Sequence, residues 1–128
     1  MYNLFLDDAR NPEDSFFYTG NPIYNKTKWI IVRDYDEFIS YITKNGMPNL
    51  ISFDHDLGYE HYETPINGII DYSKYTEKTG YDCAKWLIDY CIDNILIPPN
   101  YLVHSMNTIG RRNITSLIEN YKKFLESQ

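Results

Sequence analysis

The architecture of this chain can be inferred outward from one segment, Leu50-Ile51-Ser52-Phe53-Asp54-His55-Asp56-Leu57-Gly58. Its apolar first half is too short for a helix and follows a turn signal, so it predicts a buried strand. Two carboxylates and an imidazole are costly to bury unpaired. We therefore expect Asp54, His55 and Asp56 at the edge of a sheet, where α/β proteins bind ligands, although Asp pairs also occur as simple turn residues.

A second segment near the N-terminus repeats this pattern. Residues 2–8 are again an apolar run that ends in paired acids, Asp7 and Asp8. Two further short runs, 28–33 and 101–107, predict the second and fourth strands. Because strands alternate with helical patterns from Lys28 onward, we predict a parallel α/β sheet with right-handed crossovers.

The predicted helices begin at residues that are suited to cap them. Asp34 is followed by Glu37, and Thr79 by Asp82, at the spacing of a capping box. A third helix is expected to follow Thr108, because apolar residues then recur at helical spacing.

Two stretches show no helical period. Pro12, Gly20 and Pro22 interrupt residues 9–27, for which we predict an ordered loop. Residues 59–78 form a long insertion, which is either a lid over the site or a solvated loop. We find no linker and no internal repeat, so residues 1–128 are expected to form a single domain.

Composition narrows the class of protein. With 128 residues, 43% of them hydrophobic, the chain is long enough for one domain with a core. A formal net charge of −6 argues against a sequence-independent binder of duplex DNA. No apolar run approaches the ~20 residues that span a bilayer, and no signal peptide is visible. Cys83 and Cys91 fall about 12 Å apart on one predicted helix, so we expect reduced thiols and a cytoplasmic protein.

In a parallel sheet the carboxyl ends of the strands meet at one rim. The acids expected there are Asp7, Asp8, Asp54 and Asp56. Carboxylates about 4 Å apart repel by roughly 4 kcal/mol at an effective dielectric constant of 20, so such a group must share protons, separate or bind a cation. Oxygen ligands select Mg²⁺, Mn²⁺ or Ca²⁺ over Zn²⁺. We expect a divalent metal, Mg²⁺ or Mn²⁺, at this rim; the alternative is a set of solvated acids.

The fourth strand and the helix after it bring further polar groups to the rim. His104 and Ser105 lie near the end of the predicted strand, and Asn107 opens a helix whose first N–H groups can hold an anion. Arg111 can add a bidentate phosphate contact. His55 and His104 are both candidates for proton transfer, and each has the alternative of a packed, hydrogen-bonded histidine.

These positions resemble a receiver domain, the fold of two-component response regulators. Asp7-Asp8 and Asp54 lie where receivers place their metal ligands and phosphoacceptor, and Ser105, or His104, lies where receivers carry a Ser or Thr. The resemblance implies a flavodoxin-like, three-layer α/β sandwich with about four parallel strands in the order 2-1-3-4. The chain departs from receivers because we expect neither a first helix nor a fifth strand with the receiver lysine.

A closer resemblance rests on several motifs that are spread over nearly the whole chain. They are Leu4-Phe5-Leu6-Asp7-Asp8-Ala9-Arg10-Asn11-Pro12, Ser52-Phe53-Asp54-His55-Asp56-Leu57-Gly58, Thr79-Gly80-Tyr81-Asp82, His104-Ser105-Met106-Asn107 and Gly110-Arg111. Together they are similar to the receiver-like family described as cyclic-phosphate processing. This resemblance implies action on the cyclic phosphate ends of RNA, as in RNA repair.

We therefore expect a metal-dependent phosphoesterase that acts on the cyclic phosphate of a nucleotide or RNA end. The expected metal ligands are Asp7, Asp8, Asp54 and Asp56. The expected catalytic residues are Asp54, His55, His104 and Ser105. The expected phosphate ligands are Ser105, Asn107 and Arg111. The alternative is a non-catalytic receiver-like module that binds a phosphorylated nucleotide or a protein partner.

Overall fold

A computed structural model of the chain describes residues 1–57 and 78–128. Its strands are β1 (Asn3–Leu6), β2 (Ile30–Val32), β3 (Leu50–Phe53) and β4 (Asn100–Val103). Its helices are α1 (Pro12–Thr19), α2 (Ile23–Lys26), α3 (Tyr35–Asn45), α4 (Gly80–Asn94) and α5 (Thr108–Glu126). The predicted insertion at 59–78, a lid or a solvated loop, lies outside these ranges apart from Lys78.

The four described strands form one parallel sheet in the order β2-β1-β3-β4. This order confirms the predicted receiver-type, flavodoxin-like fold. Leu6 pairs with Phe53, and Phe53 pairs with Val103, so three neighbouring strands end at the same level. The residues that directly follow these strands are therefore placed side by side at one rim.

Both faces of the sheet are covered. Side chains alternate between the faces of a strand, and on one face Leu4, Leu6 and Phe53 join the main apolar core. Helices α3, α4 and α5 complete this core with Phe38, Ile42, Cys83, Ala84, Leu87, Ile88, Ile114 and Ile118. On the other face Phe5 contacts the rings of Tyr24 and Trp29. Each fully buried apolar side chain contributes about 1.5–3 kcal/mol, so the sheet is stabilised from both sides.

The structure confirms the predicted beginnings of α3 and α4. The Asp34 side chain accepts a hydrogen bond from the backbone N–H of Glu37 at 2.8 Å. Thr79 and Asp82 form a reciprocal capping box, with distances of 2.8 and 3.3 Å. These bonds satisfy N–H groups that the first turn of a helix leaves without a partner. Local side-chain chemistry thus determines where both helices begin.

The prediction of an ordered loop over residues 9–27 was wrong, because this stretch contains α1 and α2. Pro12 lies in the first turn of α1, where its missing N–H is not needed. Asp14 accepts a hydrogen bond from the N–H of Asn11 at 2.8 Å, and Gly20 ends the helix with a φ of +70°. The residues that suggested a loop are thus the boundaries of a first helix, which we did not expect.

Two strands are shorter than predicted. The second strand covers Ile30–Val32 rather than 28–33, and the fourth ends at Val103 rather than near Asn107. Asn107 instead caps α5, because its side-chain oxygen accepts the N–H of Gly110 at 2.9 Å. His104 and Ser105 therefore lie between strand and helix, where the alternation of a strand does not constrain their directions.

Two expectations from composition can be compared with the described residues. Cys83 and Cys91 both lie on α4, and both are buried and free of disulfides, as predicted. Burial raises the pKa of the Cys91 thiol to about 11, which suits a packing role. Over residues 1–57 and 78–128, no helix combines the length and the apolar character needed to cross a bilayer.

Candidate functional site

Three neighbouring strands bring polar side chains to one point of the rim. Asp7 follows β1, Asp54 follows β3 and His104 follows β4, and all three are buried. One ligand atom from each lies within 4.8 Å of the others, which is close enough for a shared cation. Their backbone N–H groups donate to the carbonyls of Val32, Leu6 and Phe53 at 3.1, 3.0 and 3.0 Å. The sheet itself therefore holds the group together.

Asp7 accepts hydrogen bonds on both of its carboxylate oxygens. The N–H groups of Ala9 and Arg10 donate to Oδ1 at 3.0 and 2.8 Å. The ring of His104 bonds to Oδ2 at 3.0 Å through Nε2. Burial raises the pKa of Asp7, but the bonds from His104, Ala9 and Arg10 outweigh it and lower that pKa overall. Asp7 is thus held as a carboxylate in a buried position.

Asp54 lies in a less favourable electrostatic environment. Its Oδ1 accepts the N–H of His55 at 2.8 Å. Burial, followed by repulsion from Asp7, raises the pKa of Asp54 to about 7. A divalent cation between the two carboxylates would offset both effects. This donor set, two carboxylates with one neighbouring imidazole, fits a hard metal such as Mg²⁺ or Mn²⁺.

His104 is the middle member of a buried hydrogen-bonded chain. Its Nδ1 lies 2.7 Å from Ser52 Oγ, which lies 2.7 Å from the hydroxyl of Tyr24. Because Asp7 is ionised and can only accept, Nε2 carries the ring proton, and the Ser52 hydroxyl donates to Nδ1. Burial lowers the pKa of His104, against the opposing effect of Asp7, which is consistent with a neutral ring. The ring also stacks on Phe5, with centroids 4.4 Å apart.

An open cleft of about 260 Å³ lies above this buried group. Its lining consists of Asp7, Asp8, Ala9, Arg10, Asp54, Asp56, Ser105, Met106 and Asn107. The structure thus brings together all four predicted metal ligands and two of the predicted phosphate ligands. His55, His104 and Arg111 are not part of this lining. His104 lies behind Asp7, and Arg111 lies further along α5.

His55 lies beside the cleft, between Asp56 and the first turn of α5. Its Nδ1 is 3.0 Å from a carboxylate oxygen of Asp56. The side-chain amide of Asn107 lies 3.4 Å from both oxygens of Asp56. The ring packs so closely on Gly110 that any side chain there would overlap it. A glycine is therefore required at position 110 for α5 to approach the site.

A second glycine joins the site strand to α4. The N–H of Gly80 donates to the carbonyl of His55 at 2.7 Å. A Cβ at this position would overlap the carbonyl oxygen of Asp54. The first turn of α4 thus lies directly against the backbone that carries the site residues, which explains why glycine follows Thr79.

Arg10 is a cleft residue that our sequence analysis did not single out. Its guanidinium lies 4.9 Å above the ring of Tyr18, and a hydrogen bond to that residue is the main cause that raises the pKa of Arg10. Arg33 fixes the loop that carries Arg10, because it donates to the carbonyls of Asp7 and Arg10 at 3.2 and 2.6 Å. The cleft lining therefore combines a positioned cation with four acids.

Ser52 and Tyr24 were also missed. Ser52 stands alone as a polar residue within an apolar strand, and a buried hydroxyl requires a partner, so the sequence did contain a signal for it. Tyr24 carried no such signal, since it lies 28 residues from Ser52 in a stretch predicted as a loop.

Comparison with known proteins gives one family match. The family model described as Cyclic-phosphate processing Receiver domain matches residues 2–120. No curated protein and no solved structure matches the chain. The matched range includes every residue of the cleft and of the buried chain behind it.

Proposed function

Because the chain belongs to the family of cyclic-phosphate processing receiver domains, we propose that it is a metal-dependent phosphoesterase that opens a cyclic phosphate on a nucleotide or RNA end. One observation carries the proposal. Two buried carboxylates, Asp7 and Asp54, lie together at an open cleft, and burial, followed by repulsion from Asp7, raises the pKa of Asp54 to about 7. When both carboxylates are ionised, a bound cation stabilises such an arrangement.

The proposed metal ligands are the carboxylates of Asp7 and Asp54, with Asp8 and Asp56 at the sides of the cleft. Mg²⁺ and Mn²⁺ suit a site of carboxylate oxygens that leaves room for substrate. When bound, such a cation supplies Lewis acidity toward phosphoryl oxygens. In this proposal His104 keeps Asp7 oriented, as residues that support a ligand do in metal sites.

The proposed phosphate ligands are Ser105, Asn107 and Arg10. The oxygen of Ser105 already accepts the N–H of Asn107 at 3.1 Å, so its hydroxyl proton is directed elsewhere and can bond a phosphate oxygen. The guanidinium of Arg10, which also lines the cleft, provides a charge-assisted contact. Arg111, expected from the sequence to bind this phosphate, lies outside the cleft lining, and we propose a different role for it below.

Opening the ring requires two proton transfers. Water adds its oxygen to phosphorus and loses a proton, while the bond from phosphorus to one ribose oxygen breaks and that oxygen gains a proton. We assign both transfers to His55, which takes the proton from the attacking water and gives it to the leaving ribose oxygen. His55 is preferred to His104 because 12% of the His55 side chain is exposed against 0% for His104. Asp56, 3.0 Å from Nδ1, orients the His55 ring.

The test is hydrolysis of 2′,3′-cyclic nucleotides, and of RNA ending in one, with Mg²⁺ or Mn²⁺. We expect opening to a monophosphate, loss of this activity in EDTA, and loss of it in Asp54→Asn. The matched control is Asp93→Asn, the same chemical change at an exposed position near the end of α4. If a cyclic nucleotide binds but is not opened with any divalent metal, the chain is the non-catalytic binding module and our proposal is wrong.

A further inference from the structure

A groove of about 500 Å³ runs along the outer edge of β4, separate from the acidic cleft. We call it the β4 groove; it is lined by Thr19, Asn21, Tyr101, Val103, Arg111 and Thr115, among others. Among the described strands, β4 is at the edge of the sheet and pairs only with β3. A neighbouring depression of about 290 Å³ shares Arg111 and Thr115 with the groove and adds Arg112.

The groove differs in charge from the rest of this acidic chain. The chain has 18 acidic residues, yet none occurs between Asp93 and Glu119, the stretch that contains β4 and the first half of α5. Within that stretch Arg111 and Arg112 are both exposed. Glu119 marks the far end, where it accepts the Tyr101 hydroxyl at 2.6 Å and lies 3.8 Å from Lys122. The groove is therefore lined by positive charge, which suits an anionic ligand.

The edge strand also offers hydrogen-bond donors. The N–H of His104 donates to Phe53 on the neighbouring strand. Successive residues of a strand point their backbone groups to opposite sides, so those of Tyr101 and Val103 point away from β3. The hydroxyl of Thr115 and the amide of Asn21 add polar groups around them, whereas the Thr19 hydroxyl already donates to the carbonyl of Ser15. Anionic and hydrogen-bonding parts of one ligand could thus bind side by side.

The acidic cleft and the β4 groove are each lined in part by residues at the start of α5. Ser105, Met106 and Asn107 line the cleft, and Arg111 follows on the next turn of α5, about 6 Å further along the helix axis from Asn107. An oligonucleotide whose terminal phosphate lies in the cleft would therefore place its next phosphate near Arg111. A mononucleotide that ends in the cleft would leave the groove empty.

We infer that the β4 groove binds the nucleotide that precedes the terminal cyclic phosphate, with its phosphodiester on Arg111, so that the substrate is a single-stranded oligonucleotide end rather than a mononucleotide. This inference rests on the proposed function. It agrees with the net charge of −6, because a short arginine-lined groove beside an acidic cleft favours the end of a strand over a long duplex.

The first experiment compares kcat/KM for a 2′,3′-cyclic mononucleotide and for a tetranucleotide ending in the same group. We expect the tetranucleotide to be preferred by about tenfold or more, the scale of one charge-assisted hydrogen bond. Arg111→Ala should bring this ratio close to one, and Arg111→Lys should restore part of it. The control is Lys85→Ala, which removes an exposed positive charge on α4 and should leave the ratio unchanged. Equal kcat/KM values for the two substrates in the wild type would overturn the inference while leaving the proposed function intact.

The second experiment measures binding alone, with a fluorescent tetranucleotide that ends in a 3′-phosphate and cannot be opened further. Phosphate contacts from Arg10 and Arg111 on a single strand predict a slope of about −1.4 for the logarithm of the association constant against the logarithm of salt concentration. Arg111→Ala should reduce this slope to about −0.7. This result without any hydrolysis would support the groove and reject the proposed function. Binding that Arg111→Ala and Arg112→Ala leave unaltered would reject the groove.

Discussion

The electrostatic environment of Asp54 predicts that its charge destabilises the metal-free protein, and Asp54→Asn tests this prediction. The pKa of Asp54 is raised to about 7 from its usual value of 3.8. Since each tenfold change in the protonation equilibrium corresponds to ~1.4 kcal/mol, ionising Asp54 destabilises the metal-free protein by up to about 4 kcal/mol. Asn has the shape of Asp without its charge. We therefore expect Asp54→Asn to be more stable than the wild type in EDTA at pH 8.

The sign of the pH dependence follows from the same pKa. Between about pH 4 and pH 7 the folded wild type keeps a proton on Asp54 that the unfolded chain has lost, so its stability falls as the pH rises. Below pH 4 the side chain is protonated in both states. The advantage of Asp54→Asn should therefore shrink from up to about 4 kcal/mol at pH 8 toward zero at pH 4.

The assay is urea unfolding in EDTA at several pH values, repeated with Mg²⁺. At a hundred times its dissociation constant, Mg²⁺ should stabilise the wild type by ~2.7 kcal/mol, and Asp54→Asn should lose most of this gain. Asp93→Asn is the control, because the charge it removes is exposed and remote from the cleft. Equal unfolding midpoints for wild type and Asp54→Asn at pH 8 in EDTA would refute the electrostatic argument. A wild type that does not respond to Mg²⁺ or Mn²⁺ would refute the metal site.

Three further predictions concern the residues around the cleft. His104→Ala should weaken Mg²⁺ binding, measured by calorimetry. His55→Ala should instead lower kcat by ~100-fold or more and leave the Mg²⁺ affinity unchanged. The reverse pattern would exchange the roles of the two histidines. Ser52→Ala should destabilise the fold by about 1–3 kcal/mol in urea, because Nδ1 of His104 loses its buried donor; an unchanged midpoint would contradict this. Gly110→Ala should cost about 1–3 kcal/mol through overlap with His55, and the double variant with His55→Ala should recover most of that loss; additive losses would disprove the contact.

Much of the fold could be predicted because its signals are local. Apolar runs that end in acids mark β1 and β3, and side chains that cap their own helices mark α3 and α4. A parallel sheet brings the strand ends to one rim, and the strand order implied by the receiver resemblance places β1 beside β3, so the meeting of Asp7 and Asp54 could be predicted. That residues 1–128 form a single domain remains a prediction.

Predictions from local sequence were wrong where a residue type occurs in more than one kind of structure. Pro12 and Gly20 occur both in loops and at the ends of helices, and we predicted a loop where they delimit α1. The capping pair Asn11 and Asp14 was the signal that distinguished the two cases. The fourth strand was likewise overextended, because an apolar run does not reveal that Asn107 already caps a helix.

The sequence by itself determined which residue types lie at the rim, because residues that directly follow a parallel strand lie at the carboxyl-end rim of the sheet. Tertiary structure alone decided what each one does. Asp7 fixes the His104 proton on Nε2, and Ser52 then donates to Nδ1, through contacts between distant parts of the chain. Arg10 rather than Arg111 lines the cleft, because the loop after β1 carries it there. The raised pKa of Asp54 likewise comes from burial and from Asp7, 47 residues away in the sequence. Such effects depend on distance and solvent exclusion, and neither exists until the strands have paired.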